Sequence, residues 1–347
     1  MTVRARPIGY YVHHHGTGHR ARAAAIAAAA PGRVVLLGTG LAGQVGDLAH
    51  IDLPDDRVDD AFAGRDAAAT RPAALHYAPL DHAGIRARVA AITRWIDEAA
   101  PALIVIDVSV EMAMLARIAS VPTVVVRLSG DRTDPAHLAC FRGATALLSP
   151  FAAALDDPLI PADIAARTRY APGLSPRAFA APARPRQVTV ILGTGGNTLP
   201  ASVWADAARA VPDHDWLVLG HVAAPAESPA NLTLAGWVDD VPARIARASV
   251  VIGGAGDGVV SAVLQARRPF ICLPEPRPYD EQVGKAAALA RAGAAIVCPD
   301  PVHADWPALV AAARGIDPAA QGALDDPDGS ARTAAWLIDL ADRGFPA

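Results

Sequence analysis

"GYYVHHHGTGHRARAAAIAAAA", residues Gly9 to Ala30, runs from an apolar strand through three histidines into Gly16-Thr17-Gly18, then into a fourth histidine and an alanine-rich helix. Strand, glycine turn and helix in that order make one βα unit. The rhythm repeats along the chain. Short runs, "RVVLLG", "ALIVID", "TVVVRL" and "TALLS", then "QVTVILG", "DWLVLG", "LTLAG", "SVVIGG", "PFICLP" and "AAIVC", alternate with helical windows such as "GIRARVAAITRWIDEAA" and "SVEMAMLARIA". Runs that are apolar throughout suit strands buried on both faces of parallel sheets, so the fold class is α/β and doubly wound.

At 347 residues the chain is too long for one ordinary core and divides into two domains with a cleft between them. Midway, the proline-rich stretch Pro172 to Pro185, "PGLSPRAFAAPARP", has no period and reads as a linker. The expected organisation is a first domain over 1–175, a linker over 176–186 and a second domain over 187–347. Each is Rossmann-like with about six strands, and ligands are expected at the carboxyl ends of the strands. The window "DDPDGSARTAAWLIDLADRG" forms a capped final helix, free to pack back on the first domain. The stretch from Pro54 to Pro72 has no apolar period and is expected as exposed loops beside the cleft.

Composition removes several function classes. The net charge is −4 and the positive residues are nearly all arginines set singly, so no basic stripe for nucleic acid is present. Lys285 is the only lysine and lies outside any GxxxxGK[ST] loop, which excludes a nucleotide P-loop. Cys140, Cys272 and Cys298 are far apart and lack CxxC spacing, so neither a disulfide framework nor a cysteine zinc site is expected. A bacterial, reducing cytoplasm fits. No segment reaches the ~18 apolar residues of a membrane span, which leaves peripheral membrane contact open.

The glycine turns carry the chemistry. At the first, Gly16 and Gly18 permit positive φ and close ligand approach, and the helix is expected to start near His19. A neutral imidazole there can take a proton from a hydroxyl nucleophile, or it can cap the helix; His19 is the candidate general base. His13, His14 and His15 are adjacent, so along a strand they alternate faces, and no zinc cluster is expected from them. In the second half, "VILGTGGNTLP" places Gly195, Gly196 and Asn197 after a strand. "VVIGGAGDGVVSAVLQA" places Gly256, Asp257 and Gly258 before a helix from about Val259. Either turn alone could serve tight geometry, but together they can frame a diphosphate with backbone amides and a helix amino terminus. Trp237, at a strand end, can stack on a base or plug the domain edge. Asp280, Glu281 and Gln282 open a helix, where they can hold sugar hydroxyls or cap it.

These residues resemble a family. Gly16-Thr17-Gly18-His19 before a helix, the GTGG turn, and the ordered stretch from Gly236 to Ala295 are similar to the GT-B nucleotide-sugar glycosyltransferases. The resemblance is to the branch that holds the lipid-linked peptidoglycan N-acetylglucosaminyltransferase and the plant galactolipid synthase. It implies a nucleotide sugar as co-substrate, commonly a UDP sugar, and a small-molecule or lipid-linked acceptor. The base would lie near Trp237 and Val238, the diphosphate near Gly256, Asp257 and Gly258, and the sugar near Asp280 and Gln282, with Gly18 at the facing turn. His19 matches the family's base. No metal or other cofactor is implied, because backbone amides and a helix terminus stabilise the leaving diphosphate.

The sequence departs from the family at one place. The glutamate that commonly grips the ribose corresponds to Ala262, beside Ser261, so Ser261 and Asp257 are the residues placed to take over, and the donor nucleotide stays open. Two other readings use the same scaffold: a nucleotide-sugar hydrolase that activates water, and a non-catalytic nucleotide-sugar-binding protein. A dehydrogenase is disfavoured, since no acidic residue ends a second strand about 20 residues after the first glycine turn.

Overall fold

The computed structural model describes residues 5–14, 17–57, 71–175, 181–193 and 199–343. In the first half the order is β1 (Ile8–Tyr11), α1 (Thr17–Ala28), β2 (Val34–Gly38), β3 (His50–Asp52), α2 (Ala83–Ala99), β4 (Leu103–Asp107), α3 (Val110–Ile118), β5 (Thr123–Val126), α4 (Pro135–Gly143), β6 (Ala146–Ser149), α5 (Ala162–Ala165) and β7 (Thr168–Tyr170). The second half runs β8 (Gln187–Ile191), α6 (Ala201–Ala210), β9 (Asp215–Leu219), β10 (Leu232–Gly236), α7 (Val241–Arg247), β11 (Val250–Gly253), α8 (Asp257–Ala266), β12 (Phe270–Cys272), α9 (Glu281–Arg291), β13 (Ile296–Val297), α10 (Trp306–Arg314), α11 (Pro318–Gly322) and α12 (Gly329–Arg343).

The strands form two sheets, ordered β3-β2-β1-β4-β5-β6-β7 and β10-β9-β8-β11-β12-β13. Every pairing is parallel. Each sheet reverses direction once, between β1 and β4 and between β8 and β11. Such switch points open a crevice at the carboxyl ends of the strands, where a ligand can reach helix amino termini.

The uninterrupted apolar runs have the physical consequence expected of them. All four residues of β1 and all five of β4 are buried, because helices cover both faces of the sheet. One cluster joins Ile8, Tyr10 and Val105 to Ile26 of α1 and to Leu337 of α12. The final helix thus packs against α1, on the first sheet. Two strands absent from the sequence reading, β3 and β7, are three-residue edges with half-exposed side chains. Among the described residues no helix is long and apolar enough to cross a membrane.

Two segments seal the halves against each other at a second point. Gly130, just beyond β5, has φ +95°, and a Cβ there would lie 2.3 Å from the Tyr279 carbonyl. The next residue donates its backbone N–H to that carbonyl at 2.7 Å. Glycine is required here twice over, by its positive φ and by the close approach.

Candidate functional site

The site starts from the end of β4. Asp107 closes the run "LIVID" at the switch point of the first sheet, with no exposed surface. The next residue, Val108, has φ +63°, a strained conformation for a β-branched side chain that costs of order 1–3 kcal/mol. It turns the chain at once into Ser109, which caps α3 by accepting from Met112 N. The carboxylate of Asp107 is left facing α1.

Helix α1 begins at Thr17, two residues before the expected start, which puts His19 inside its first turn. His19 Nδ1 lies 2.9 Å from Asp107 Oδ1. A carboxylate only accepts, so the Nδ1–H tautomer is assigned, and Nε2 makes no hydrogen bond among the described residues. Arg22, on the same face three residues on, donates Nη2 to both oxygens of Asp107 at 2.9 and 3.0 Å. Its Nη2 also lies 3.0 Å from His19 Nδ1; between the two contacts, Asp107 has the stronger claim on the imidazole because it carries the opposite charge. Tyr10 donates its hydroxyl to Asp107 at 3.4 Å. Burial pushes the Asp107 carboxyl up, but Arg22 and then His19 outweigh it and hold the group at about 2. It is ionised at neutral pH.

Across the cleft, α8 begins at Asp257 and not at Val259, with Gly256 at its cap position. Gly18 on the facing helix does not adopt the positive φ that its turn permits, and neither Gly256 nor Gly258 has a positive φ. Among the described residues a Cβ at each would meet nothing within 4 Å, so these glycines add no bulk at two helix amino ends. Gly16, Gly195, Gly196, Asn197 and His15 lie outside the described residues. Asp257 is bound on both oxygens, Oδ2 by Arg22 Nη1 at 3.1 Å and Oδ1 by the Lys285 ammonium. Burial opposes its ionisation, but Lys285 and then Arg22 hold the carboxyl well below the usual range. A hollow between Phe151 and Leu155 on one side and Asp257, Ser261 and Lys285 on the other marks where the halves meet.

The remaining expected residues fall into distinct positions. Trp237 is 52% exposed and stacks on His221, with ring centroids 6.0 Å apart, so it is not a buried plug. Val238 is half-buried and packs on the second core. Gln282 is buried; its Oε1 accepts from Ala255 N at 2.9 Å and Glu275 N at 3.1 Å, bracing the turn before α8. Asp280 is exposed in a left-handed conformation and makes no capping bond to α9. Glu281 accepts from Arg132 Nη2 at 2.9 Å and so faces the first half. Ser261 accepts from Gln265 Nε2 at 3.2 Å.

Metal chemistry points to different histidines from those in the opening stretch. His13 and His14 stack with centroids 4.7 Å apart, because β1 ends at Tyr11 and strand alternation no longer applies. Among the described residues, only His76, Asp134 and His137 bring potential ligand atoms together, within 4.8 Å. Their donor set does not fit a resident ion. Asp134 caps α4 through Ala136 N and His137 N and receives His76 Nε2 at 2.8 Å. Burial foremost, with Arg132 nearby, pushes His137 down to about 4, so it is a neutral ring. Its Nδ1–H is given to Asp134, and its Nε2 lies 3.2 Å from the Arg132 guanidinium. A cation on Nδ1 would turn an N–H toward that guanidinium.

A concavity of about 570 Å³ lies at the amino ends of β8, β9 and β10, lined by Arg184, Arg186, Asp215 and Arg244. None of the groups at α1, β4 and α8 lines it, so volume does not identify the site.

No family model matches the chain. Along 117 residues it is 38% identical to the UDP-N-acetylglucosamine–N-acetylmuramyl-(pentapeptide) pyrophosphoryl-undecaprenol N-acetylglucosamine transferase of Rhodospirillum centenum, covering 32% of this chain and 29% of that protein. The chain therefore matches under a third of that relative's length. Over its whole length it superposes on the calicheamicin glycosyltransferase, with TM-score 0.67 at 16% identity, covering 99% of this chain and 100% of that one. A spinosyn rhamnosyltransferase complexed with thymidine diphosphate gives TM-score 0.60 at 19% identity, covering 97% and 96%. The fold is that of the GT-B glycosyltransferases. Its two sheets are then the two GT-B halves, with α1 and α8 opposed across the crevice.

Proposed function

We infer that the protein is a glycosyltransferase that moves a sugar from a nucleoside-diphosphate donor to a hydroxyl of a small-molecule or lipid-linked acceptor, without a metal. The reading rests above all on the His19–Asp107 pair: an imidazole with one nitrogen held by a buried carboxylate and the other open, opposite a helix amino terminus. The thymidine diphosphate held by one structural neighbour and the UDP sugar named for the curated relative support a nucleotide donor.

In this mechanism His19 Nε2 takes the acceptor hydroxyl proton as the oxygen attacks the anomeric carbon. Asp107 fixes the tautomer and stabilises the imidazolium. The bond to the diphosphate breaks, and the leaving charge meets the amino end of α8, where unpaired backbone N–H groups and the helix dipole favour an anion. Residues 1–175 form the acceptor side and 187–347 the donor side, with Trp237 and Val238 at the base and Asp280 at the sugar. Cys140, Cys272 and Cys298 are free and buried, which fits a reducing cytoplasm.

The test is a thermal-shift panel of nucleotides, where a ligand at 100 times its dissociation constant stabilises by about 2.7 kcal/mol, followed by mass spectrometry of products with and without acceptors. Transfer to an acceptor supports the reading. Free sugar without an acceptor makes the protein a hydrolase, and donor binding with neither reaction makes it a binding protein.

A further inference from the structure

Arg22 is buried where α1 meets α8, and its guanidinium is divided between two carboxylates. Nε and Nη2 donate to Asp107, at 3.3 Å and at 2.9–3.0 Å, while Nη1 donates to Asp257 at 3.1 Å. Lys285 takes the other oxygen of Asp257. Asp107, Arg22, Asp257 and Lys285 therefore form an unbroken row of alternating charge, from the end of β4 to the first turn of α8. The row is formally neutral while His19 is neutral.

Each end of the row meets a different event. At one end His19 becomes a cation as it takes the acceptor proton. At the other, on the donor reading, an anionic diphosphate arrives beside Asp257. The guanidinium is a rigid planar fork, so it cannot follow an anion at α8 without changing its hold on Asp107. Its Nη2 is also the like charge that stands 3.0 Å from His19 Nδ1. Drawing Arg22 toward α8 leaves Asp107 to the imidazole alone, and the anion adds its own negative potential. Both effects favour the proton on His19.

We propose that Arg22 is a positioning residue that couples diphosphate binding at α8 to proton uptake by His19. The proposal rests on the donor reading given above. Such coupling is reciprocal: whatever factor the anion contributes to protonating His19, the proton returns to anion affinity. The charged and titratable groups facing His19 are Asp107 of β4, Arg22 of its own helix and His13 beyond β1. Behind them stand Tyr10 of β1, Asp257 of α8 and Lys285 of α9. Both carboxylates are held low and stay ionised near neutral pH, so they do not supply the proton change.

The experiment is calorimetric titration of the full chain with UDP and with dTDP near neutral pH, in two buffers of different ionisation enthalpy, which counts protons taken up per diphosphate bound. A tenfold coupling corresponds to at most about half a proton per diphosphate bound. Wild type should take up protons on binding, and His19→Ala should lose that uptake, which removes any share due to the diphosphate's own ionisation. Arg22→Lys keeps the charge but cannot reach both carboxylates; it should still bind while losing most of the uptake. Asp257→Asn breaks the row from the donor side and should do the same, which covers the case in which Arg22→Lys does not fold. Equal uptake in wild type and these variants, or binding by wild type with no uptake, would overturn the coupling and leave the donor reading standing. If neither diphosphate binds wild type, the donor reading itself falls.

Discussion

Asp107→Asn changes two atoms' chemistry and almost no volume, which makes it the sharpest probe of the site. Asn presents one oxygen and one NH₂ where three donors now converge: His19 Nδ1, Arg22 and Tyr10. If the NH₂ faces His19, the imidazole must accept at Nδ1 and carry its proton on Nε2, where it cannot serve as a base. If it faces Arg22, two donors oppose each other in a buried site. The expected loss in kcat is about 10²–10⁴, or roughly 2.7–5.5 kcal/mol in the barrier, while the nucleotide dissociation constant shifts by no more than the roughly tenfold coupling that Arg22 carries to α8. Stability should fall as well. A carboxyl held at about 2 in the folded chain, against about 3.9 unfolded, contributes about 2.6 kcal/mol. The folded value is the lower one, so this contribution is fully present above about pH 4 and is lost as pH falls through about 2. Wild type should therefore lose stability across that window, and Asp107→Asn should lose less. Initial rates with donor and acceptor, with urea melts between pH 2 and 5, measure both effects. A variant that keeps kcat within a factor of about three would show that Asp107 does not orient a base.

His19→Ala should lower kcat by roughly 10²–10⁴ while weakening diphosphate binding by no more than the roughly tenfold coupling to its proton, read by initial rates and calorimetry; unchanged turnover would return His19 to a capping role. Gly130→Ala places a Cβ 2.3 Å from the Tyr279 carbonyl at φ +95°, so it should cost about 1–3 kcal/mol in a thermal melt and raise the donor KM; a neutral melt would mean that this seam is loose in solution. Activity should survive exhaustive EDTA treatment, and tag-free protein should carry no stoichiometric metal by elemental analysis. One zinc per chain lost on His76→Ala, with activity following it, would overturn the metal-free mechanism and show that Arg132 yields its place beside His137.

The six strands of the second sheet were legible because each is an apolar run between glycine or proline signals. In the first sheet β3 and β7 were not, since His50-Ile51-Asp52 and Thr168-Arg169-Tyr170 are edge segments whose pairing comes from tertiary context. Helix starts at Thr17 and Asp257 were read two residues late because the glycines beside them carry no periodic signal. His19 was found from its turn, but Asp107 passed as the last letter of "ALIVID". The available sign was a lone acid closing an apolar strand at the expected ligand end of the sheet. Arg22 had a weaker sign, three residues after His19 and so on the same helical face. Its reach to Asp257 spans 235 positions, a separation that no local pattern encodes.

The residue that would grip the donor ribose follows from what is already engaged. With Ala262 at the position where the family resemblance implies a glutamate, Asp257 and Ser261 are the candidates to replace it, but both oxygens of Asp257 are tied to cations. Ser261 remains, a neutral hydroxyl on α8 that accepts from Gln265 and still has a proton to give. A neutral hydrogen bond contributes about 0.5–1.5 kcal/mol and one to a charged carboxylate about 1.5–3, so loss of the glutamate weakens the selection of a ribose hydroxyl without abolishing binding. UDP and its 2′-deoxy counterpart should therefore bind with dissociation constants within about tenfold of each other, and Ser261→Ala should narrow the gap further. Calorimetry with the two diphosphates decides it. A hundredfold preference for the ribonucleotide that persists in Ser261→Ala would place the ribose against a charged group elsewhere, and Ser261 would then be only a helix side chain bonded to Gln265.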